Sequence, residues 1–287
     1  MTKITTLCLS GGGIYGYAEV GAISELEKYM DLSYINNIMG VSVGSMIAGL
    51  YAVGYKTSEL INILYNFDFT SLIQGSSILS YFKLYEKYGL YEAECLENEI
   101  ENLICRKTNI KYCTFSQIEK NLTIIATNLN YQKPYFFNKN ETPNMIISKA
   151  IRMSIAYPGI MTPIVYRGDL YADGGITINY PIIMVDNLEE AIGITFSAYN
   201  ENMDGTLKTK FAINNIYDYI YSLALSMSRS TYISQINKKH LDRSIIIHIN
   251  KVFNSMQTNL TKEEKEYIFN CGVNAVKEQI EKVIKIN

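Results

Sequence analysis

Three short stretches of this chain carry residue types that do acyl-transfer chemistry. The first is Gly40-Val41-Ser42-Val43-Gly44, which follows an apolar run (34–39) and precedes a small-residue helical pattern (45–55). G-x-S-x-G between a strand and a helix is the pattern of a nucleophile elbow. A sharp turn there pushes the serine hydroxyl out of the chain, and the glycines on either side leave room where a β-carbon would collide. The same five letters also occur by chance in loops, so the chemistry has to be completed elsewhere. A serine hydroxyl is a weak nucleophile that needs a base, and the oxyanion it creates needs hydrogen-bond donors.

The second stretch is Ser10-Gly11-Gly12-Gly13-Ile14-Tyr15-Gly16. It has two readings. Gly11, Gly13 and Gly16 match the G-x-G-x-x-G of a dinucleotide site, which requires an acidic residue about 20 positions on, at the tip of the next strand. That tip is Gly40-Val41-Ser42, and Asp31 lies ahead of the strand rather than at its end. The second reading is oxyanion stabilisation, with the N–H groups of Gly12 and Gly13 and the following helix N-terminus as donors. The third stretch is Asp173-Gly174-Gly175, where an apolar run delivers a carboxylate to a turn that two glycines keep sharp. The chain has two histidines. His240 sits in a Lys-rich stretch after a long helical pattern, and His248 alternates with Ile247 and Ile249 in a strand pattern, so both read as structural. Asp173 is the better base.

These residues need a scaffold that brings them to one edge. Residues 5–9 read as a strand and 17–30 as a helix through Val20, Ile23, Leu26 and Met30. A second strand then ends at Ser42 and its helix runs to about residue 55. Two successive βα units predict a parallel sheet whose strand C-termini share one edge. Helices are expected over 57–65, 92–104 and 145–156. Strands are expected over 122–128 and 134–138, with a hairpin at Arg167-Gly168-Asp169, and over 191–198 and 244–249. A helix over 211–232 carries Ile213, Ile216, Ile220, Leu223 and Met227 in register. The last, over 261–284, opens with a cap-like Thr261 and Glu264 and turns Ile268, Cys271, Val276, Ile280 and Val283 inward. The aromatic stretch 67–90 reads as an insertion packed on the core, with a lid or membrane-facing segment as the competing reading, and 200–209 as a polar loop.

Composition sets the class. The chain has 287 residues, 48% hydrophobic and 19% charged, enough for a sizeable core and against disorder. A net charge of −2 provides no global field for nucleic acid. No apolar run reaches the ~18 residues of a membrane span, and no secretory leader pattern opens the sequence. The expected location is therefore the cytoplasm, with peripheral contact at membranes. Five cysteines (Cys8, Cys95, Cys105, Cys113, Cys271) are scattered without a C-x-x-C, and read as buried free thiols rather than a disulfide framework or metal site. No cofactor or metal is expected.

Together, the glycine loop at 11–16, the Gly40–Gly44 elbow and Asp173-Gly174-Gly175 resemble the patatin-like phospholipase family in order and spacing. The resemblance spans residues 5–198. It implies a three-layer α/β/α domain with a mostly parallel central sheet, with 199–287 as C-terminal helices and a strand on the same domain. It also implies a Ser42–Asp173 dyad without histidine, an oxyanion loop at Gly11, Gly12, Gly13 and Gly16, and an acyl-lipid or glycerophospholipid substrate. An α/β-hydrolase triad of Ser42, Asp173 and His240 or His248 is the rival among enzymes. A weakly catalytic lipid- or partner-binding module is a reading from a different class, and an acyltransferase would use the same acyl-enzyme. One departure stands out: the family's glycine loop often carries Arg where Tyr15 stands here.

Overall fold

In the computed structural model, residues 3–66, 85–197, 212–251, 253 and 259–284 are described. Residues 67–84 of the aromatic stretch expected at 67–90, and the loop expected at 200–209, lie outside them. Tyr85 and Tyr88, at the end of the aromatic stretch, are exposed, so the packed reading does not hold for these two.

The sheet is built around β1 (Thr6–Leu9), whose four residues are all buried. Strand β2 (Asn37–Val41) pairs with it on one side and β9 (Ala191–Phe196) on the other, both parallel. Beyond β9 lies β10 (Ser244–Ile247), and beyond β2 lies β4 (Asn121–Asn128), again in parallel. Strands buried on both faces read as continuous apolar runs, which is why β1 and β9 show no alternation in the sequence. The faces nonetheless differ. Leu7 and Leu9 join the main core, while Cys8 packs with Tyr180 and Ile182 on the other side.

The main core is covered by α1 (Gly16–Leu26), α2 (Val43–Ala52), α3 (Thr57–Asn66), α4 (Glu94–Thr108), α5 (Ile147–Ser154) and α8 (Lys262–Ile284). Helix α8 lies along α1 and β10. Its start is capped reciprocally: Glu264 N–H donates to Thr261 Oγ1 at 3.2 Å and Thr261 N–H to Glu264 Oε2 at 2.9 Å. The second face has a thinner cover, a short helical turn at Pro181–Met184 and α6 (Ile216–Gln235), with Tyr232 and Ile236 reaching the Cys8 cluster. The short α7 (Lys238–Asp242) leads into β10. Among the described residues, no helix is long and apolar enough to cross a membrane.

The remaining strands explain the site. Strand β5 (Lys133–Phe137) runs antiparallel to the second half of β4 along one edge. On the opposite edge β4 meets two partners in succession: β2 opposite Asn121 to Ile125, then β8 (Asp169–Asp173) opposite Ala126 to Asn128, antiparallel. So β2 and β8 run toward each other along one edge of β4 and stop head to head. Val41 lies opposite Ile125 and Asp173 opposite Ala126. Strand β7 (Ile164–Tyr166) forms the expected hairpin with β8, with Arg167 at φ 52 and Gly168 at φ 86 at its two turn positions. Strands β3 (Gly89–Tyr91) and β6 (Gly159–Met161) make a separate parallel pair.

The helix expected over 211–232 is observed over Ile216–Gln235, and its apolar register lies largely outside the core: Ile213, Ile216, Leu223 and Met227 are each about half exposed or more, while Ile220 turns inward to Gly159. The expectation of buried thiols needs correction. Of the five cysteines, Cys8 and Cys113 are buried, Cys105 and Cys271 are half-buried, and Cys95 is exposed on α4.

Candidate active site

Where β2 stops, the chain turns. Ser42 adopts φ 54 and ψ −128, a positive-φ conformation that is costly for a residue with a β-carbon. Its neighbours hold it there. Ser42 N–H donates to Ser154 Oγ at 2.9 Å, and Ser42 C=O accepts from Ser45 Oγ at 2.6 Å and Ser45 N–H at 2.9 Å. Gly40 lies near the end of β2 and faces Leu9 and Ile124 across the ladders. Gly44 lies in the first turn of α2, where a β-carbon would stand 2.5 Å from Ser10 O and 2.8 Å from Leu9 O. Only glycine lets that turn rest on the end of β1, which brings the glycine loop beside the elbow.

Asp173 ends β8 with its backbone fixed on both sides. Its N–H donates to Ala156 O at 2.9 Å, and its C=O accepts from Thr127 Oγ1 at 2.8 Å. Both carboxylate oxygens are engaged. Oδ2 accepts from Ser42 Oγ at 2.7 Å and Oδ1 from Gly175 N–H at 2.7 Å. The side chain is buried, and burial lifts its pKa to about 6, against the lowering effect of those two hydrogen bonds. Gly174 is required by space: a β-carbon there would lie 2.2 Å from Ile125 O.

The glycine loop sits against both. A β-carbon on Gly11 would lie 3.2 Å from Ser42 Cβ. Gly11 N–H is committed to Asn179 O at 3.0 Å, so of the loop residues singled out in the sequence it is not a free donor. Gly12 and Gly13 follow, Gly13 with φ 57, and Gly16 starts α1, packed against Val43 at the head of α2. Tyr15 is buried. Its hydroxyl donates to Phe253 O at 3.2 Å and its ring lies 5.7 Å from that of Phe196. Burial pushes its pKa up to about 12. This tyrosine ties the loop to the C-terminal part of the chain.

The far wall comes from α6 and the residues after α5. Helix α6 packs on the Gly174–Ile176 turn, and the ring of Tyr221 lies 5.5 Å from that of Tyr157. The Tyr157 hydroxyl is buried with no hydrogen-bond partner among the described residues. Burial, with Tyr221 and Asp173 nearby, holds its pKa well above the ordinary tyrosine range.

Neither histidine joins the centre. His240 caps its own short helix: its backbone N–H donates to Asn237 Oδ1 at 3.3 Å, and its Nδ1 accepts from the Asn237 N–H at 3.2 Å. His248 is exposed beyond the end of β10. Among the described residues, no cluster of three or more His, Cys, Asp or Glu side chains is placed to hold a metal ion. The sequence motifs do not include Ser154, Asn179, Thr127 or Tyr157. Each of these is brought in by tertiary packing alone and carries no local pattern that could have marked it.

A family model described as patatin-like phospholipase matches residues 7–186. An uncharacterised protein of Acanthamoeba polyphaga mimivirus is 57% identical over 285 residues, which cover 99% of this chain and 96% of that protein. A probable lipid hydrolase of Invertebrate iridescent virus 6 is 30% identical over 213 residues, covering 69% of this chain and 72% of that one. Among solved structures, VipD from Legionella pneumophila matches with a TM-score of 0.66 at 17% identity, over 97% of this chain and 67% of that chain. ExoU from Pseudomonas aeruginosa, solved with SpcU, matches with a TM-score of 0.57 at 17% identity, over 99% of this chain and 53% of that chain. At these identities the likeness to the solved structures concerns the fold.

Proposed function

Because this chain belongs to the patatin-like phospholipase family, we propose that it is a lipid acyl hydrolase that cleaves carboxylic esters of glycerophospholipids through an acyl-enzyme on Ser42. The observation that carries the reading is the 2.7 Å hydrogen bond from Ser42 Oγ to Asp173 Oδ2 where β2 and β8 meet. Ser42 Oγ attacks the ester carbonyl carbon as its proton passes to Asp173 Oδ2. The resulting oxyanion faces the glycine loop, where the N–H groups of Gly12 and Gly13 and the first turn of α1 supply positive potential. Collapse breaks the acyl C–O bond, and the departing alkoxide takes the proton from Asp173. Water then attacks the acyl-enzyme and gives a proton to Asp173. Ser42 recovers a proton as it leaves, and the fatty acid is released.

A base poised near pH 6 fits this role better than an ordinary aspartate. Efficient proton transfer favours a pKa close to the working pH, and burial of Asp173 supplies that rise. The test is product analysis on a panel of phospholipids and lysophospholipids in mixed micelles, with Ser42→Ala as control. Release of free fatty acid that depends on Ser42 is the expected result. Lipid binding without release, or transfer of the acyl group to an added alcohol in preference to water, would replace the hydrolase reading.

A further inference from the structure

Strand β2 ends one residue too early to position its own nucleophile. Its parallel ladder with β4 stops at Val41 opposite Ile125, and Ser42 then leaves the strand direction. In that conformation the Ser42 N–H bonds to a side chain rather than to β4, and the Ile125 carbonyl lacks the partner that a continued strand would offer. Both groups are polar backbone atoms in a buried place, where an unpaired donor or acceptor is costly.

A single side chain answers both. Ser154 Oγ donates to Ile125 O at 2.6 Å and accepts from Ser42 N–H at 2.9 Å. The directions are forced. A carbonyl oxygen can only accept, so the one hydroxyl proton of Ser154 is committed to Ile125. A backbone N–H can only donate, so it meets the oxygen lone pair that remains. Ser154 is fully buried at the last position of α5. The same helix is held from its other side by Arg152, which donates to the carbonyls of Glu92 and Thr162.

We propose that Ser154 is a positioning residue for the nucleophile: its hydroxyl replaces the missing β2–β4 rung and fixes Ser42 in the backbone conformation from which Oγ reaches Asp173. The proposal rests on the reading of Ser42 as the nucleophile. Its geometry gives both partners one reference, since Ile125 holds Ser42 through Ser154 while the next residue, Ala126, pairs with Asp173. A further consequence follows for the oxyanion. The nucleophile's own N–H is occupied by Ser154 and is not among the donors to the developing charge.

Ser148 provides the control. It lies on the same helix, is also buried, and donates its hydroxyl to Glu101 Oε2 at 2.8 Å, away from Ser42. Ser154→Ala is expected to lower kcat about 10- to 100-fold, the range for one orphaned buried donor near the reacting group. KM should stay within about two-fold, because the group lost does not touch substrate. The rate at which a fluorophosphonate labels Ser42 should fall by the same factor. Ser154→Thr, which keeps the hydroxyl, should recover most of both rates. Ser148→Ala should lose stability without changing either rate. Equal kinetic effects of Ser154→Ala and Ser148→Ala would overturn the proposal, as would an unchanged labelling rate in Ser154→Ala. If Ser154→Ala does not fold, Ser154→Cys carries the same measurement, with a weaker hydrogen bond and a smaller loss in the same direction. An active Ser42→Ala would instead remove the nucleophile reading itself.

Discussion

The two walls of the centre are built on opposite terms. On the β4 edge, every polar atom named around Ser42 and Asp173 has a partner: Ser154 and Ser45 hold the elbow, and Thr127, Gly175 and the Ala156 carbonyl hold the aspartate. On the α6 side, the Tyr157 hydroxyl is buried without a partner among the described residues, and Ile216, Leu223 and Met227 face outward. The first wall is over-determined and can hold a strained residue. The second makes few specific demands on the residues that form it. Strain is retained where the surroundings fix it, and adaptability lies where they do not.

The largest effects should appear in activity, at the β4 edge. Ser42→Ala and Asp173→Asn are each expected to cost about 10⁴-fold or more in kcat, the scale for removing a nucleophile or its base. His240→Ala and His248→Ala, away from the β4 edge, should stay within about two-fold, since neither contacts the pair. A folded but inactive histidine variant in a fatty-acid release assay would bring back the triad reading.

The buried charge makes a second contrast, between activity and stability. Asp173 must be ionised to accept a proton, so kcat/KM should fall about tenfold per pH unit below a midpoint near 6. Stability runs the other way. The folded state keeps the Asp173 proton up to about pH 6, whereas the unfolded chain releases it near pH 4, so stability is lost as pH rises between the two. Above pH 6 the penalty is about 3 kcal/mol. Asp173→Asn removes it. The inactive variant should therefore gain on the wild type by about that amount between pH 4 and pH 8 in denaturant titrations. A pH-independent difference would place the carboxylate in a more polar setting than its burial indicates.

How much of each wall is legible in the sequence follows from the same difference. Ser42, Asp173 and their glycines can be read because steric necessity leaves a local mark. A turn at φ 54 and a helix laid on a strand end need small residues at fixed offsets, as at Gly44 and Gly174. The succession of βα units gives the parallel sheet for a similarly local reason. Ser154 leaves no mark, because one serine at the end of an amphipathic helix is common and its partner Ile125 is 29 residues away. Gly11 reads as part of an oxyanion loop, yet its N–H is taken by Asn179, 168 positions distant, which no local pattern signals. Helix α6 shows another limit. Periodicity identifies the stripe Ile216, Leu223, Met227, but a period says which residues share a face and not which way that face points.

The smallest expected effect tests that last point. Ile151 and Leu223 are both aliphatic residues in helix interiors. Ile151 is fully buried in α5 against Gly49 of α2, and Leu223 is half exposed on α6. Ile151→Ala should cost about 2–5 kcal/mol, through lost burial and the cavity left behind. Leu223→Ala should change stability by no more than about 0.5 kcal/mol, because little apolar surface returns to water. Chemical denaturation at two protein concentrations distinguishes the cases. A small, concentration-independent change at Leu223 keeps the stripe on the solvent side. A loss comparable to that of Ile151→Ala would mean that α6 is covered in solution, and a loss that grows on dilution would assign the cover to a second copy of the chain. In either case the α6 wall would be as firmly specified as the β4 edge, and the contrast between them would disappear.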